Sequence, residues 1–241
     1  TTNGTLAVWS ARGVANWERP HGAPRAAVDI LALGEYRGRA LDGGCRREWG
    51  TSVASPLVVA ALARALARVV EPSRRKAILN PAALKQLVHA AGAPLPNLSI
   101  FEQGMGRLAD ARLDVAVADF APRATAFPPE LDLAGSGARD ESRGALWPLD
   151  APLYARGQPR TINVTIHNSR ATLSRIARPP EWEPALDVGG WALSLAFSHA
   201  ERVDQHCGYV GIAVSVHAEA AAVRGELVRV ERAHRVAAQR V

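Results

Sequence analysis

Lysine is almost missing from this chain: of 29 basic residues only Lys76 and Lys85 are lysines. The arginines that remain are spread among Ala, Gly and Pro instead of forming a stripe. The formal charge of +6 and sequence pI near 10.1 therefore do not mark a nucleic-acid face, since charge alone supplies only sequence-independent attraction. Arg37, Arg39, Arg46 and Arg47 are the one group that folding could gather, and no nucleic-acid partner is expected. Cysteine is scarce too. Cys45 and Cys207 allow at most one internal disulfide and lack metal-ligand spacing; each could equally be a small buried apolar residue or pair outside this chain. No apolar run reaches about eighteen residues, so no membrane-spanning helix, and no membrane anchor, is predicted here. Thr1-Thr2-Asn3-Gly4 has no basic, apolar leader and reads as mid-chain. No acidic loop has calcium-ligand spacing, so no metal residues are assigned, and Glu102, Asp140 and Glu141 read as solvated charges. What is present, 241 residues of which 48% are hydrophobic, suffices for a sizeable core in one large domain or two ordinary ones and excludes a disordered chain.

The most informative stretch is Trp49-Gly50-Thr51-Ser52-Val53-Ala54-Ser55-Pro56, followed by the apolar run Leu57 to Val70. A small hydroxyl residue where a glycine-containing turn becomes a helix can turn both its side chain and its backbone N–H outward. The helix start adds unpaired N–H groups and the positive end of the macrodipole, both of which favour an oxyanion beside Ser52. Ser52 is the candidate nucleophile, with Gly50 and Thr51 as its oxyanion and substrate environment. The competing structural role is that of a helix cap, in which the serine hydroxyl only serves its own backbone. Pro56 is expected in the first helical turn, where its missing N–H costs little.

These residues match at every fixed position the Gly-Thr-Ser-x-Ala-x-Pro segment that carries the nucleophile in the subtilisin-like serine proteases, the subtilases, which the chain resembles. Trp9-Ser10-Ala11-Arg12-Gly13 is similar to the family's Phe-Ser-Ser-Arg-Gly stretch, and Val28-Asp29-Ile30-Leu31-Ala32-Leu33-Gly34 to its Pro-Asp-Ile-x-Ala-Pro-Gly strand, with both prolines replaced. Gly43-Gly44-Cys45-Arg46, Phe101 to Leu108, Asn163-Val164-Thr165-Ile166 with Asn168, and Pro180-Glu181-Trp182 extend the likeness over most of the chain.

In chain order, Thr5 to Trp9 reads as a short strand and Val28 to Leu33 as a buried parallel strand, separated by a loop over Gly13 to Arg25. Gly34 to Trp49 reads as a second loop. Val58, Val59, Leu62, Leu66, Val69 and Val70 recur at helical spacing, which predicts a core helix from Ser55 to Val70. Asn80-Pro81 starts another helix with Asn80 as N-cap, Leu84, Leu87 and Val88 as its apolar face and Gly92 as its end. A third helix is expected over Leu108 to Val117. Ala121 to Pro159 is rich in Pro and Gly without sustained period. Period-2 alternation follows in Ile162/Val164/Ile166, Trp191/Leu193/Leu195/Phe197, Val210/Ile212/Val214/Val216 and Val228/Val230. The expected fold class is α/β, the C-terminal part of a subtilisin-like, parallel-sheet, three-layer domain, followed by an antiparallel β-sandwich. The expected divisions are 1–118 for the end of a catalytic domain, 119–160 for a connection, and 161–241 for the sandwich.

Peptide hydrolysis by serine needs a base, a group that holds the base, and oxyanion donors. The family's chain order is Asp, His, Ser, with its aspartate, histidine and side-chain oxyanion asparagine well upstream, so this chain is expected to hold only the nucleophile and to hydrolyse nothing alone. His21, in a His-Gly-Ala-Pro context, reads as a loop histidine, and Asn3 lies too close to Trp9 to be the donor. The resemblance implies a serine endopeptidase acting on protein substrates, namely membrane-anchored transcription factors or secretory precursors, in the lumen of the Golgi or endoplasmic reticulum, with calcium as a cofactor that the family commonly binds. Asn3, Asn97 and Asn163 begin N-glycosylation sequons, which suits a lumenal protein. The alternative is a protease-derived pseudoenzyme in which Ser52 is a cap and the β-rich half, 161–241, binds a protein partner.

Overall fold

The computed structural model describes residues 5–13, 25–39, 41–131, 159–170, 193–199, 206–216 and 228–229. Asn3, His21, Trp191, Pro180 to Trp182, Asp140, Glu141 and most of the expected connection lie outside them.

Two strands, β1 (Glu35–Arg39) and β2 (Cys45–Trp49), pair antiparallel from Glu35↔Trp49 to Arg39↔Cys45. This is where a loop was expected. The glycines that suggested one form only its turn: Gly43 has φ 81, and the Gly44 N–H donates to Asp42 Oδ1 at 3.1 Å. The strands carry long polar side chains and no apolar period because β2 is exposed along its whole length and β1 along most of it. Arg47 and Glu35 form an exposed cross-strand ion pair.

Among the described residues five helices follow: α1 (Thr51–Leu66), α2 (Pro72–Ile78), α3 (Pro81–Ala90), α4 (Ile100–Gln103) and α5 (Asp110–Ala118). The expectation for α3 holds in detail, since the Asn80 side chain accepts the Ala83 N–H at 2.9 Å with Pro81 at the first helical position. Leu87 of α3 and Ala91 at its C-cap meet Ala65, Val69, Ile78, Leu113 and Val117 in a helical core. Arginines finish these helices. Arg75 donates to the Val69 carbonyl at 2.7 Å through Nη2, and Arg74 donates to the Val117 and Ala118 carbonyls that α5 leaves open.

Val28 to Leu33 is not a strand of a parallel sheet. Leu31 and Ala32 are buried, but Leu31 makes only an isolated parallel bridge to Arg107, with the Leu31 N–H donating to Gly106 O and the Leu108 N–H to Leu31 O, each at 2.8 Å. A parallel strand needs a long neighbour on its edge, and Arg107 belongs to a two-residue strand, β4 (Arg107–Leu108), that pairs antiparallel with β3 (Gly92–Ala93). A second isolated parallel bridge joins Arg25 to Asn163. Near the start, Thr5 makes a single bridge and the chain then turns, the Ser10 N–H donating to Ala7 O at 3.0 Å.

The later part is antiparallel. A four-stranded sheet runs β5 (Ala124–Phe127), β7 (Arg160–Asn168), β9 (His206–Val216) and β8 (Leu193–His199), while β6 (Glu130–Leu131) pairs with β10 (Val228–Arg229). The alternation read from sequence sets the register, with Ile162 opposite Ile212 and Val164 opposite Val210. These residues, with Ile166 and Val214, pack on Phe101 of α4, so the sheet core closes directly onto the helical part. Burying each such side chain contributes about 1.5–3 kcal/mol.

Candidate active-site turn

Ser52 is the second residue of α1, exposed, and held by the open end of the hairpin. The Gly50 N–H donates to Gly34 O at 2.9 Å, just beyond the Glu35↔Trp49 pair. The Trp9 ring lies over Gly34 where a Cβ would stand, closing the back of the same junction. The N-cap is Gly50 and not the serine. With φ 147 and ψ 168 it occupies a conformation that L side chains rarely adopt, and a Cβ on it would stand 3.1 Å from Ser52 Oγ. The Gly50 carbonyl takes the N–H groups of Val53 and Ala54 at 3.1 and 3.3 Å. The cap-only role is therefore filled without the Ser52 hydroxyl, and no side chain caps this helix. The Ser52 N–H, in the first turn, has no helical carbonyl four residues back within the helix to bond.

Pro56 lies inside α1, not in its first turn as expected, because the helix already begins at Thr51. Its missing N–H is the one that would have bonded the carbonyl four residues back, which is that of Ser52. The Ser52 carbonyl therefore lacks its usual donor four residues on. Among the described residues, no base hydrogen-bonds the Ser52 hydroxyl. An Asp–His pair is present elsewhere: His89 Nε2 lies 2.9 Å from Asp29 Oδ1, with Lys85 ion-paired to the same carboxylate. The imidazole is stacked on Phe127 and beside His167, so this pair belongs to a packed seam and not to the serine. Local pattern could not reveal it, because Asp29 and His89 are 60 residues apart.

The apolar helix carrying the serine is mostly uncovered. Ala65 alone is buried in α1, while Leu57 and Val59 are 37% and 62% exposed, and Val70 just past its end is 82% exposed. A core helix was expected here.

Of the sequons, Asn97 stands exposed on a turn with φ 61, before the helix that Ser99 caps. Asn163 is half-buried inside β7, and its Oδ1 is enclosed without a hydrogen-bond partner. Calcium finds no fit among the described residues: no group of three or more His, Cys, Asp or Glu side chains is placed to hold a metal ion, Asp29 is bonded to His89 and Lys85, and Glu102, buried and not solvated as expected, accepts the Ser99 N–H at 3.0 Å. Cys45 and Cys207 are both free and exposed. No described helix is long and apolar enough to cross a membrane.

A family model described as the third Ig-like domain of MBTPS1 matches residues 127–232, the range that holds most of the antiparallel sheet. Over 222 residues, 91% of this chain, the sequence is 36% identical to the membrane-bound transcription factor site-1 protease of Mus musculus and 35% identical to that of Homo sapiens. A subtilisin-like protease of Arabidopsis thaliana is 35% identical over 224 residues, 92% of the chain. The chain spans about a fifth of the length of these relatives, 20% of the first two and 21% of the third.

Proposed function

The chain belongs to the subtilisin-like, site-1 type of serine protease, and from that premise we propose that Ser52 is the nucleophile of a serine endopeptidase. Its Oγ attacks the peptide carbonyl while its own N–H, at the positive end of α1, donates to the oxyanion. A base and an orienting carboxylate complete the site from another part of the full-length protease, and the 241 residues alone are inactive. The observation that carries this reading is the geometry of Gly50: a left-handed glycine caps the helix and leaves the exposed serine hydroxyl free of capping duty. The uncovered apolar face of α1 supports it too, because such a surface calls for a packing partner.

On this reading residues 1–118 are the C-terminal portion of a catalytic domain, 119–160 a connection, and 161–241 a β-sandwich of the Ig-like kind. The substrates are proteins, membrane-anchored transcription factors or secretory precursors, met in the lumen of the Golgi or endoplasmic reticulum. Fluorophosphonate labelling of the full-length protein tests the assignment. A covalent adduct in wild type that vanishes in Ser52→Ala establishes the activated serine; no adduct in a folded protein moves the function to the sheet as a partner-binding scaffold. Lumenal placement is tested at Asn97. Loss of a glycosidase-sensitive mass in Asn97→Gln, with no such loss in Asn163→Gln, is expected from their exposure.

A further inference from the structure

Where α3 meets the sheet, the contact is made by polar and titratable side chains, in contrast to the apolar cores on either side. Gln86 Nε2 donates to Ala121 O at 3.0 Å, and the Ser169 hydroxyl donates to Gln86 Oε1 at 3.0 Å. One turn further along α3, the His89 ring stacks on Phe127 of β5 with centroids 4.4 Å apart, and His167 of β7 stands 5.4 Å from it at 58°. Both imidazoles are more than nine-tenths buried. The groups facing His167 are His89 and Lys85 from α3, Asp29 from the run 28–33, Arg25 ahead of it, and Cys207 across the strand pair on β9. Asp29 is the one carboxylate among these, and its two oxygens are already bonded by His89 and Lys85.

We propose that this seam is an acid-sensitive joint: a proton taken up by His167 sets a cation against Lys85 and Arg25, and parts β5 and β7 from α3 while both apolar cores stay folded. Phe101, packed into the sheet core, keeps the sheet tethered through α4 when the seam opens. The inference does not depend on the role of Ser52.

The sign follows from linkage. Burial first, then the neighbouring cations, push His167 down to about 4 from an ordinary 6.5. The parted state therefore binds more protons than the closed one between those values, so closure weakens as pH falls through that window and weakens no further below it. Burial of Asp29 would raise its carboxyl, but the hydrogen bonds from His89 and Lys85 and the Lys85 charge outweigh it and hold the group well below the usual carboxylate range. Asp29 thus stays ionised throughout, and the seam responds to histidine.

Hydroxyl-radical footprinting of the full-length protein from pH 7.5 to 4, read at the buried Phe127 ring that His89 covers, tests this. Oxidation of Phe127 is expected to rise roughly three- to tenfold on acidification. Phe101 and Leu113, inside the two apolar cores, are expected to stay level, and His167→Gln to abolish the rise. A rise of equal size in His167→Gln, or none in wild type, overturns the proposal. Should His167→Gln fail to fold, Lys85→Gln keeps the histidine and removes a cation facing it. A smaller rise than wild type is then expected, and an equal one overturns the joint.

Discussion

Helices α1 and α3 are built from the same stock of Ala, Leu and Val, yet α3 buries six of its ten residues and α1 one of its sixteen. The difference lies in what each helix meets. α3 has the helical core on one side, through Leu87, and the sheet on the other, through Gln86 and His89. α1 meets α5, where Arg64 and, just past the helix end, Arg68 pair with Asp110 and Asp114 at 3.0 and 2.7 Å; it touches α3, β1 and β2 more lightly and leaves Leu57 and Val59 to solvent. Such exposed ion pairs contribute about 1 kcal/mol at most, so they cannot compensate for uncovered apolar surface. Apolarity shows that a helix wants a partner; it does not show that the partner lies within the same 241 residues.

The buried side of the comparison breaks most severely. Leu113 of α5 has no exposed surface and sits among side chains of α1 and α3, so Leu113→Ala is expected to cost about 2–5 kcal/mol in chemical denaturation. A loss under about 1 kcal/mol would mean that the three helices do not share a core.

Next comes the turn that displays Ser52. Gly50→Ala forces a methyl group into a left-handed conformation 3.1 Å from the serine Oγ, at an expected cost of about 1–3 kcal/mol. Fluorophosphonate labelling of the full-length protein should fall with it, since the hydroxyl must shift to make room. Labelling at the wild-type rate would show that the Gly50 geometry is incidental. At the start of α3, Asn80→Ala removes the side-chain acceptor of the Ala83 N–H and is expected to cost about 1 kcal/mol, read as a lowered denaturation midpoint at unchanged slope.

What the sequence made legible divides along the same line. Period and capping signals are local, so α3 with its Asn80 cap and the register of Ile162, Val164, Val210 and Ile212 could be read directly. The hairpin is hidden because its exposed strands carry no apolar period, and glycines that mark only its turn have the composition of a loop. The run 28–33 has the composition of a buried strand and is buried at Leu31 and Ala32, but pairing is a property of neighbours, which composition does not contain. At the site, Ser52 stood out from its motif, whereas the identity of the cap depended on the backbone angle at Gly50. The Asp29, His89 and His167 seam joins three distant segments and left no local mark.

The smallest effect is the most discriminating. Val59 of α1 is 62% exposed, so Val59→Ser in the 241-residue chain should change stability by no more than about 0.5 kcal/mol. If the rest of a protease domain covers α1, the same substitution in the full-length protein removes a buried side chain and places a hydroxyl against apolar surface, at about 1.5–3 kcal/mol or more. Measuring both isolates the covering partner from everything intrinsic to the helix, because propensity and local packing are common to the two experiments. Equal and small effects would leave α1 a solvent-facing helix in the whole molecule and remove the main structural support for placing Ser52 in a larger domain. A large effect confined to the full-length protein would show that α1, like α3, is a two-sided helix whose second side lies elsewhere in the chain.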